Sequence, residues 1–334
     1  MIISRTPFRV SFFGGGTDYP AWYLKHGGAV IGSTINKYCY LTVRQLPPFF
    51  EHKHRIVYSK VELPNHIEEI EHPAVKGVLS DFNYQDGIEI HHHADLPARS
   101  GLGSSSSFTV GLINALRAIQ GKASSPQLLA SEAIRIEQDV IKESVGSQDQ
   151  IWAAYGGTNL IEFKQNGQFS VNPVLMSKSR MEEMNQHVML FFTGLTRIAS
   201  QLAEKKIENL AQREQQLNAM TKLVYEAADI MQNSNSDIRD IGHMLNDNWH
   251  LKRQLVDGLT NPVLDDIYQQ AMDAGALGGK LLGAGGGGFM MFFVEPHKRK
   301  AVAERLSNLI HVDVSLGSCG SKIVMYEPNG LENV

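Results

Sequence analysis

The chain has 334 residues, 43% of them apolar, 20% charged and 8% aromatic, which excludes intrinsic disorder, collagen-like repeats and long coiled coils. A formal charge of −4 argues against bulk nucleic-acid or anionic-membrane binding. Only Cys39 and Cys319 are present, far apart, which fits a reducing cytoplasm rather than a disulfide framework or a cysteine metal site. At this length two domains, or one large one, are expected, with no need of a covalent staple. Arg5, Pro7 and Arg9 interrupt the N-terminal apolar residues, so no signal peptide is expected. The best apolar run, Phe289–Val294, is far short of a membrane span.

Phe8, Val10 and Phe12 alternate with Arg9, Ser11 and Phe13, which predicts a strand ending in the turn Gly14-Gly-Gly-Thr-Asp18. Arg9 in this pattern is either a solvent-facing strand residue or a functional one. A second strand is expected over 87–94. Its run His91-His92-His93 does not make a metal site, because neighbours on a strand point to opposite faces. Next comes Arg99-Ser-Gly-Leu-Gly-Ser-Ser-Ser-Ser107, followed by Phe108, Leu112, Leu116 and Ile119 at helical spacing. Strand, Gly/Ser loop and helix N-terminus form an anion-binding arrangement, in which free backbone N–H groups and the positive end of the helix dipole face the loop. The loop is neither a Walker loop nor a dinucleotide fingerprint.

Pro126 starts a helix through Leu129, Ala133, Ile136 and Val140. Glu137 lies on a line with Ile134 and Ile141. It is a rim residue reaching water or, if it faces inward, one that needs a cation. Ser147-Gln-Asp-Gln150 reads as a capping box for a short helix over 151–155, stopped by Gly156-Gly157. Asp149 then sits in a first turn, where the helix dipole stabilises a carboxylate, and a role as base would come from substrate geometry. Strands flank the Asn166-Gly167 turn, and a domain boundary is expected in 176–186. Beyond it the pattern gives one strand, charged helices across 197–258, a helix at 262–275 and a strand–helix–strand ending. Segments 14–16, 101–107 and 278–288 hold three, two and seven of the thirty glycines. Such clusters mark backbone at positive φ or in close approach to something else, and three of them favour a ligand pocket.

Three motifs in order, Arg9-Val-Ser-Phe-Phe-Gly-Gly-Gly-Thr-Asp18, Pro97-Ala-Arg-Ser-Gly-Leu-Gly-Ser-Ser-Ser106 and Lys280-Leu-Leu-Gly-Ala-Gly-Gly-Gly-Gly-Phe289, resemble those of the GHMP kinase superfamily. Together with Gly146-Ser-Gln-Asp-Gln150, Tyr155-Gly-Gly-Thr158 and Phe192-Thr-Gly-Leu-Thr-Arg197, they look most like the D-glycero-D-manno-heptose phosphate kinases. The resemblance implies an α+β, two-domain fold. A ribosomal-protein-S5-like domain would cover 1–180 and a ferredoxin-like domain 181–334, with the nucleotide between them. It implies ATP on the loop Pro97, Arg99, Ser100, Gly101, Leu102, Gly103, Ser104, Ser105 and Ser106, although Arg99 stands where glycine is common. Mg2+ would lie on Ser105 and Glu137. Asp149 would be the catalytic base and Arg9 its orienting partner.

On the acceptor side, the resemblance implies sugar contacts by Gly16, Thr17 and Asp18, with Gly285 and Gly286 lining the site. A phosphorylated sugar, heptose 7-phosphate phosphorylated at its anomeric hydroxyl for nucleotide-activated heptose, needs a cation for its phosphate. Arg197 is the first choice there, with Lys252 and Arg253 behind it. Other sugar kinases, such as a fucokinase or galactokinase relative, and a non-catalytic ATP and sugar sensor are the alternatives. Partners are thus ATP and a sugar phosphate, with no nucleic acid or membrane, for a cytoplasmic monomer or homodimer.

Overall fold

The computed structural model describes residues 1–98, 100–195 and 207–328. β1 (Ile2–Phe13) leads through the glycine turn and α1 (Pro20–His26) into β2 (Gly28–Gln45), its antiparallel neighbour. β2 is long enough to pair with two more strands. After β3 (His54–Val57), β4 (Val61–Glu62) and α2 (Pro73–Asp81), β5 (Ile88–Ala94) pairs with its far half, Cys39 to Gln45. α3 (Ser104–Ile119), α4 (Pro126–Arg135) and α5 (Gln148–Tyr155) follow. The hairpin of β6 (Thr158–Phe163) and β7 (Phe169–Pro173) turns at Gly167, and β6 takes the near half of β2, Gly28 to Ser33.

α6 (Lys178–His187) runs straight into β8 (Val188–Phe192). Then come α7 (Glu214–Gln232), α8 (Arg239–Arg253), α9 (Pro262–Asp273), β9 (Ala276–Leu281), β10 (Phe289–Val294), α10 (Arg299–Arg305) and β11 (Ile310–Val312). The second sheet is antiparallel, in the order β11-β8-β10-β9. β10 is buried along its whole length, as its uninterrupted apolar run requires. β12 (Lys322–Tyr326) returns to pair with β1, so the last described strand completes the first sheet. The expected division at 180/181 falls inside α6. Among the described residues no helix is long and apolar enough to cross a membrane.

Two local departures from the sequence pattern position the site. α3 is buried from Ser106 to Leu116 on nearly all sides, against β1, β2, α2, α4 and α5. Its polar residues are anchored inside, with Ser107 Oγ donating to the Pro7 carbonyl at 2.8 Å. α4 continues into a π-helical turn, Ile136–Val140, in which Ile141 N donates to the Ile136 carbonyl at 2.8 Å. The extra residue rotates the faces. Val140, expected on the apolar stripe, is 39% exposed, and Glu137 is turned inward. One apolar cluster, running from Phe8 and Phe12 through Leu112 and Leu116 to Leu190, Phe289 and Met291, joins the two sheets beneath these elements.

Candidate active site

Arg9 is the hinge of the site. It lies on the buried half of β1, beside a register shift in the β1–β2 ladder, and its side chain is 6% exposed. Its Nε donates to Asp149 Oδ1 and its Nη2 to Asp149 Oδ2, both at 2.7 Å, while Nη1 donates to the Gly101 carbonyl at 2.7 Å. Its backbone N–H donates to the Leu102 carbonyl at 3.1 Å. The solvent-facing alternative for Arg9 is therefore wrong. A bidentate guanidinium–carboxylate pair fixes both position and plane of the carboxylate. Asp149 remains 26% exposed, so its carboxylate is held from behind and open in front.

α5 starts at Gln148, and the expected capping box does not form: Ser147 makes no side-chain cap. Ser147 Oγ instead accepts from Gln138 Nε2 at 3.0 Å and meets the Tyr23 hydroxyl at 3.3 Å. Gln148 Nε2 donates to Asp18 Oδ2 at 2.6 Å, and Gln150 Nε2 donates to Glu137 Oε2. Buried carboxylates cost more when unpartnered than exposed helix N–H groups do, so they capture these donors.

Glu137 is 1% exposed. Desolvation pushes its carboxyl up to about 7, opposed by its polar neighbours, the Thr109 and Ser106 hydroxyls and the Gln150 amide. Ser106 Oγ donates to Oε2 at 2.9 Å, while Oε1 is buried with no hydrogen-bond partner. Ser105, named from the sequence, is exposed, and its carbonyl accepts from Thr109 Oγ1 at 3.2 Å. An inward carboxylate with one unsatisfied oxygen beside a serine-rich loop at a helix N-terminus fits Mg2+, which takes one or two protein carboxylates and fills its remaining positions with water and phosphate. Among the described residues no cluster of three His, Cys, Asp or Glu side chains offers a fuller cage.

Gly103 caps α3 at φ 75° and ψ 25°, a left-handed conformation that turns the chain from loop to helix. Ser104 and Ser105 open the helix, Leu102 is buried in the core, and Pro97 is exposed. The third glycine segment backs this loop directly. Phe289 N donates to the Ser100 carbonyl at 3.1 Å, and a Cβ on Gly283 would lie 2.5 Å from Gly101 Cα. Gly286 N donates to the Leu259 carbonyl at 2.9 Å, and Gly285 packs on Leu259. The thing these bare glycines let approach is thus protein backbone. Lys252, offered from the sequence for the acceptor phosphate, is buried, with Nζ donating to the Leu281 and Gly283 carbonyls at 2.8 and 2.9 Å. Lys280 Nζ likewise donates to the Phe12 carbonyl at 2.9 Å. Arg253 pairs with Asp265 at 3.1 Å near the surface. Arg99 and Arg197 lie outside the described residues.

In the first glycine turn, Gly16 N donates to Asp18 Oδ1 at 2.7 Å, and Asp18 is buried. Thr17 faces the other way, with its hydroxyl donating to the Ala29 carbonyl at 2.9 Å, so it shapes the turn. Tyr19, next to Asp18, is buried as well. Burial first, then the charges of Asp18 and Asp149, push its hydroxyl far above the ordinary value against the opposing effect of Arg9. It therefore stays protonated beside both carboxylates.

Residues 66–157 match the GHMP kinases N terminal domain and residues 207–311 the GHMP kinases C terminal domain. The chain is 30% identical to the D-glycero-alpha-D-manno-heptose 7-phosphate kinase of Campylobacter jejuni, over 89% of this chain and 91% of that one. The chain belongs to the GHMP kinase family. It is 27% identical to the bifunctional fucokinase/GDP-fucose pyrophosphorylase of Arabidopsis thaliana, over 93% of this chain and 31% of the relative. The fold matches the crystal structure of a D-glycero-D-manno-heptose 1-phosphate kinase from Bacteroides thetaiotaomicron with a TM-score of 0.80 at 22% identity, over 98% of this chain and 100% of the other.

As a GHMP kinase the protein is a phosphotransferase that uses ATP and has an alcohol group as acceptor. Three residues of this kinase escaped sequence reasoning, Gln148, Gln150 and Tyr19, and so did the inward placement of Lys252. For Lys252 a signal existed, since it continues the buried stripe Ile241, Leu245 and Asn248 of α8. The glutamines gave none, because a cap, a surface and a carboxylate all suit that side chain.

Proposed function

We propose that this GHMP kinase transfers the ATP γ-phosphoryl group to a heptose phosphate, namely D-glycero-D-manno-heptose 7-phosphate at its anomeric hydroxyl, as a cytoplasmic step toward nucleotide-activated heptose. The observation that carries the reading is Arg9, pinned between the Gly101 carbonyl of the phosphate loop and the Asp149 carboxylate. It joins the donor side of the site to the acceptor side through one rigid group. The acceptor class is supported by the heptose 7-phosphate kinase relative.

In this reading the loop amides of 100–106 and the N-terminal end of α3 hold the ATP phosphates. Glu137 and the serines at 105 and 106 would hold Mg2+, whose charge would favour phosphate binding there. Asp18 accepts hydrogen bonds from acceptor hydroxyls through lone pairs left over by Gly16 and Gln148. Asp149 takes the proton of the attacking hydroxyl, with Arg9 holding its carboxylate in line. Catalysis then rests on positioning and charge rather than covalent chemistry. Gly16 opens the acceptor side, and Gly285 and Gly286 support it from behind the loop. The acceptor phosphate is assigned to Arg197, since Lys252 and Arg253 are committed elsewhere.

The test is Mg-ATP consumption with heptose 7-phosphate, mannose, fucose and galactose. Turnover confined to unphosphorylated sugars overturns the phosphorylated acceptor, and intact ATP binding with no turnover points to a sensor. Asp149→Asn is expected to lower kcat by at least about 10²-fold with ATP affinity little changed, as for loss of a general base. Near-normal turnover would remove Asp149 from that role.

A further inference from the structure

The first turn of α5 reaches three functional groups with three consecutive side chains. Gln148 Nε2 donates to Asp18 Oδ2 at 2.6 Å, Asp149 pairs with Arg9 at 2.7 Å, and Gln150 Nε2 donates to Glu137 Oε2. We propose that Gln148 and Gln150 are positioning residues that tie the acceptor loop and the Glu137 carboxylate to the helical turn carrying Asp149. Each acts through one carboxylate only. This inference rests on the roles proposed above for Asp18, Glu137 and Asp149.

Both amides are oriented by that single contact. Gln148 Oε1 and Gln150 Oε1 are buried without hydrogen-bond partners. Each side chain therefore leaves its own oxygen unsatisfied in order to present its N–H group to a carboxylate, and a flipped amide would set oxygen against oxygen. The segment before the turn is moulded around Asp18 as well. Ser147 N donates to the Asp18 carbonyl at 2.9 Å, and a Cβ on Gly146 would lie 2.0 Å from Asp18 Oδ2. Gln138, the neighbour of Glu137, donates to the Val145 carbonyl at 3.1 Å, which closes the segment between the π turn and α5. A displacement of the turn would therefore move acceptor loop, base and Glu137 together.

The two glutamines make separable predictions. In Gln148→Met the side chain keeps its length and loses the donor. The KM for heptose 7-phosphate is expected to rise about 10- to 100-fold, the range for a lost hydrogen bond to a charged group, with the KM for ATP within about twofold. In Gln150→Met the acceptor KM at saturating ATP is unchanged. Affinity for Mn2+ in the presence of a non-hydrolysable ATP analogue, read from free Mn2+ by electron paramagnetic resonance, falls by about 10-fold or more. Gln148→Glu and Gln150→Glu, which oppose two carboxylates, are expected to exceed their Met counterparts on the same readouts.

A uniform fall in kcat for both sites, or unchanged constants for both, overturns the proposal. If a Met variant does not fold, Gln148→Asn and Gln150→Asn keep the amide on a shorter stem and are read for the same split. Asp149→Asn serves as the control. Full activity there sinks the site assignment itself, whereas its loss without a split among the glutamine variants sinks only this inference.

Discussion

Two glycine-rich stretches meet backbone to backbone under the site, and their glycines answer different demands. At 283–288 another segment occupies the space a side chain would need: a Cβ on Gly288 would lie 2.2 Å from the Ser100 carbonyl oxygen. In the Gly/Ser loop the two glycines differ: a Cβ on Gly101 would lie 2.6 Å from the Leu282 carbonyl oxygen, again backbone, whereas Gly103 faces side chains in front. A Cβ on Gly103 would lie 3.3 Å from Arg9 Cγ and 3.4 Å from Asp149 Oδ2. The same residue type thus admits backbone at Gly288 and Gly101 and leaves room for the Arg9–Asp149 pair at Gly103. A glycine cluster locates a crowded place and does not say whether ligand or protein crowds it.

The difference is testable by alanine. Gly288→Ala combines a φ of 104° with a backbone collision and is expected to cost on the order of 3–5 kcal/mol. Chemical denaturation would show this as a lowered urea midpoint, and an unchanged midpoint would break the distinction. Gly103→Ala carries a smaller strain, about 1–2 kcal/mol for a left-handed residue, because its neighbours are side-chain atoms able to shift. Its larger effect is expected in kcat, roughly 10²-fold, through displacement of the Arg9–Asp149 pair. If it instead lowered stability as much as Gly288→Ala with kcat intact, the two stretches would be equivalent.

A gentler probe uses pH. The Glu137 carboxyl is raised to about 7 by burial, so between its ordinary range and that value the folded metal-free protein holds a proton that the unfolded chain has lost. Stability of the metal-free protein should therefore fall as pH rises through that window. Added Mg2+ should restore it at the upper end, as a ligand of the folded state alone. Thermal melting from pH 5 to pH 8, with and without Mg2+, reads both effects. A metal-free melting temperature that rises across this range, with Glu137→Gln behaving identically, would place the titrating group elsewhere.

Local signals in the sequence carried much of the fold. Pro126 with Ser125 as N-cap starts α4, with Ser125 Oγ accepting from Leu128 N at 3.2 Å. The Asn166-Gly167 pair turns the β6–β7 hairpin, and the apolar run at Phe289–Val294 became a buried strand. These depend on neighbours a few residues apart, where backbone preference and side-chain period dominate. The π turn was invisible, because one extra residue per turn leaves the same apolar residues in place and changes only the face they occupy. The cap at Ser147 was misread for a different reason. Its partners, Gln138 and Tyr23, come from other elements, and their demand outweighs that of the helix end.

Sequence alone determined the presence of three glycine segments, the helix that follows the second of them and the residues Arg9, Glu137 and Asp149 on their elements. Tertiary structure decided what those residues do to one another. Arg9 and Asp149 are 140 positions apart, and Gln148 and Asp18 are 130 apart. No period or propensity links residues at such separations. Only the packing of β1, α3 and α5 into one core brings them within 3 Å, where burial makes each carboxylate demand a donor and leaves few to choose from. The same burial makes Lys252, a candidate for the acceptor phosphate by sequence, a clamp on the Leu281 and Gly283 carbonyls.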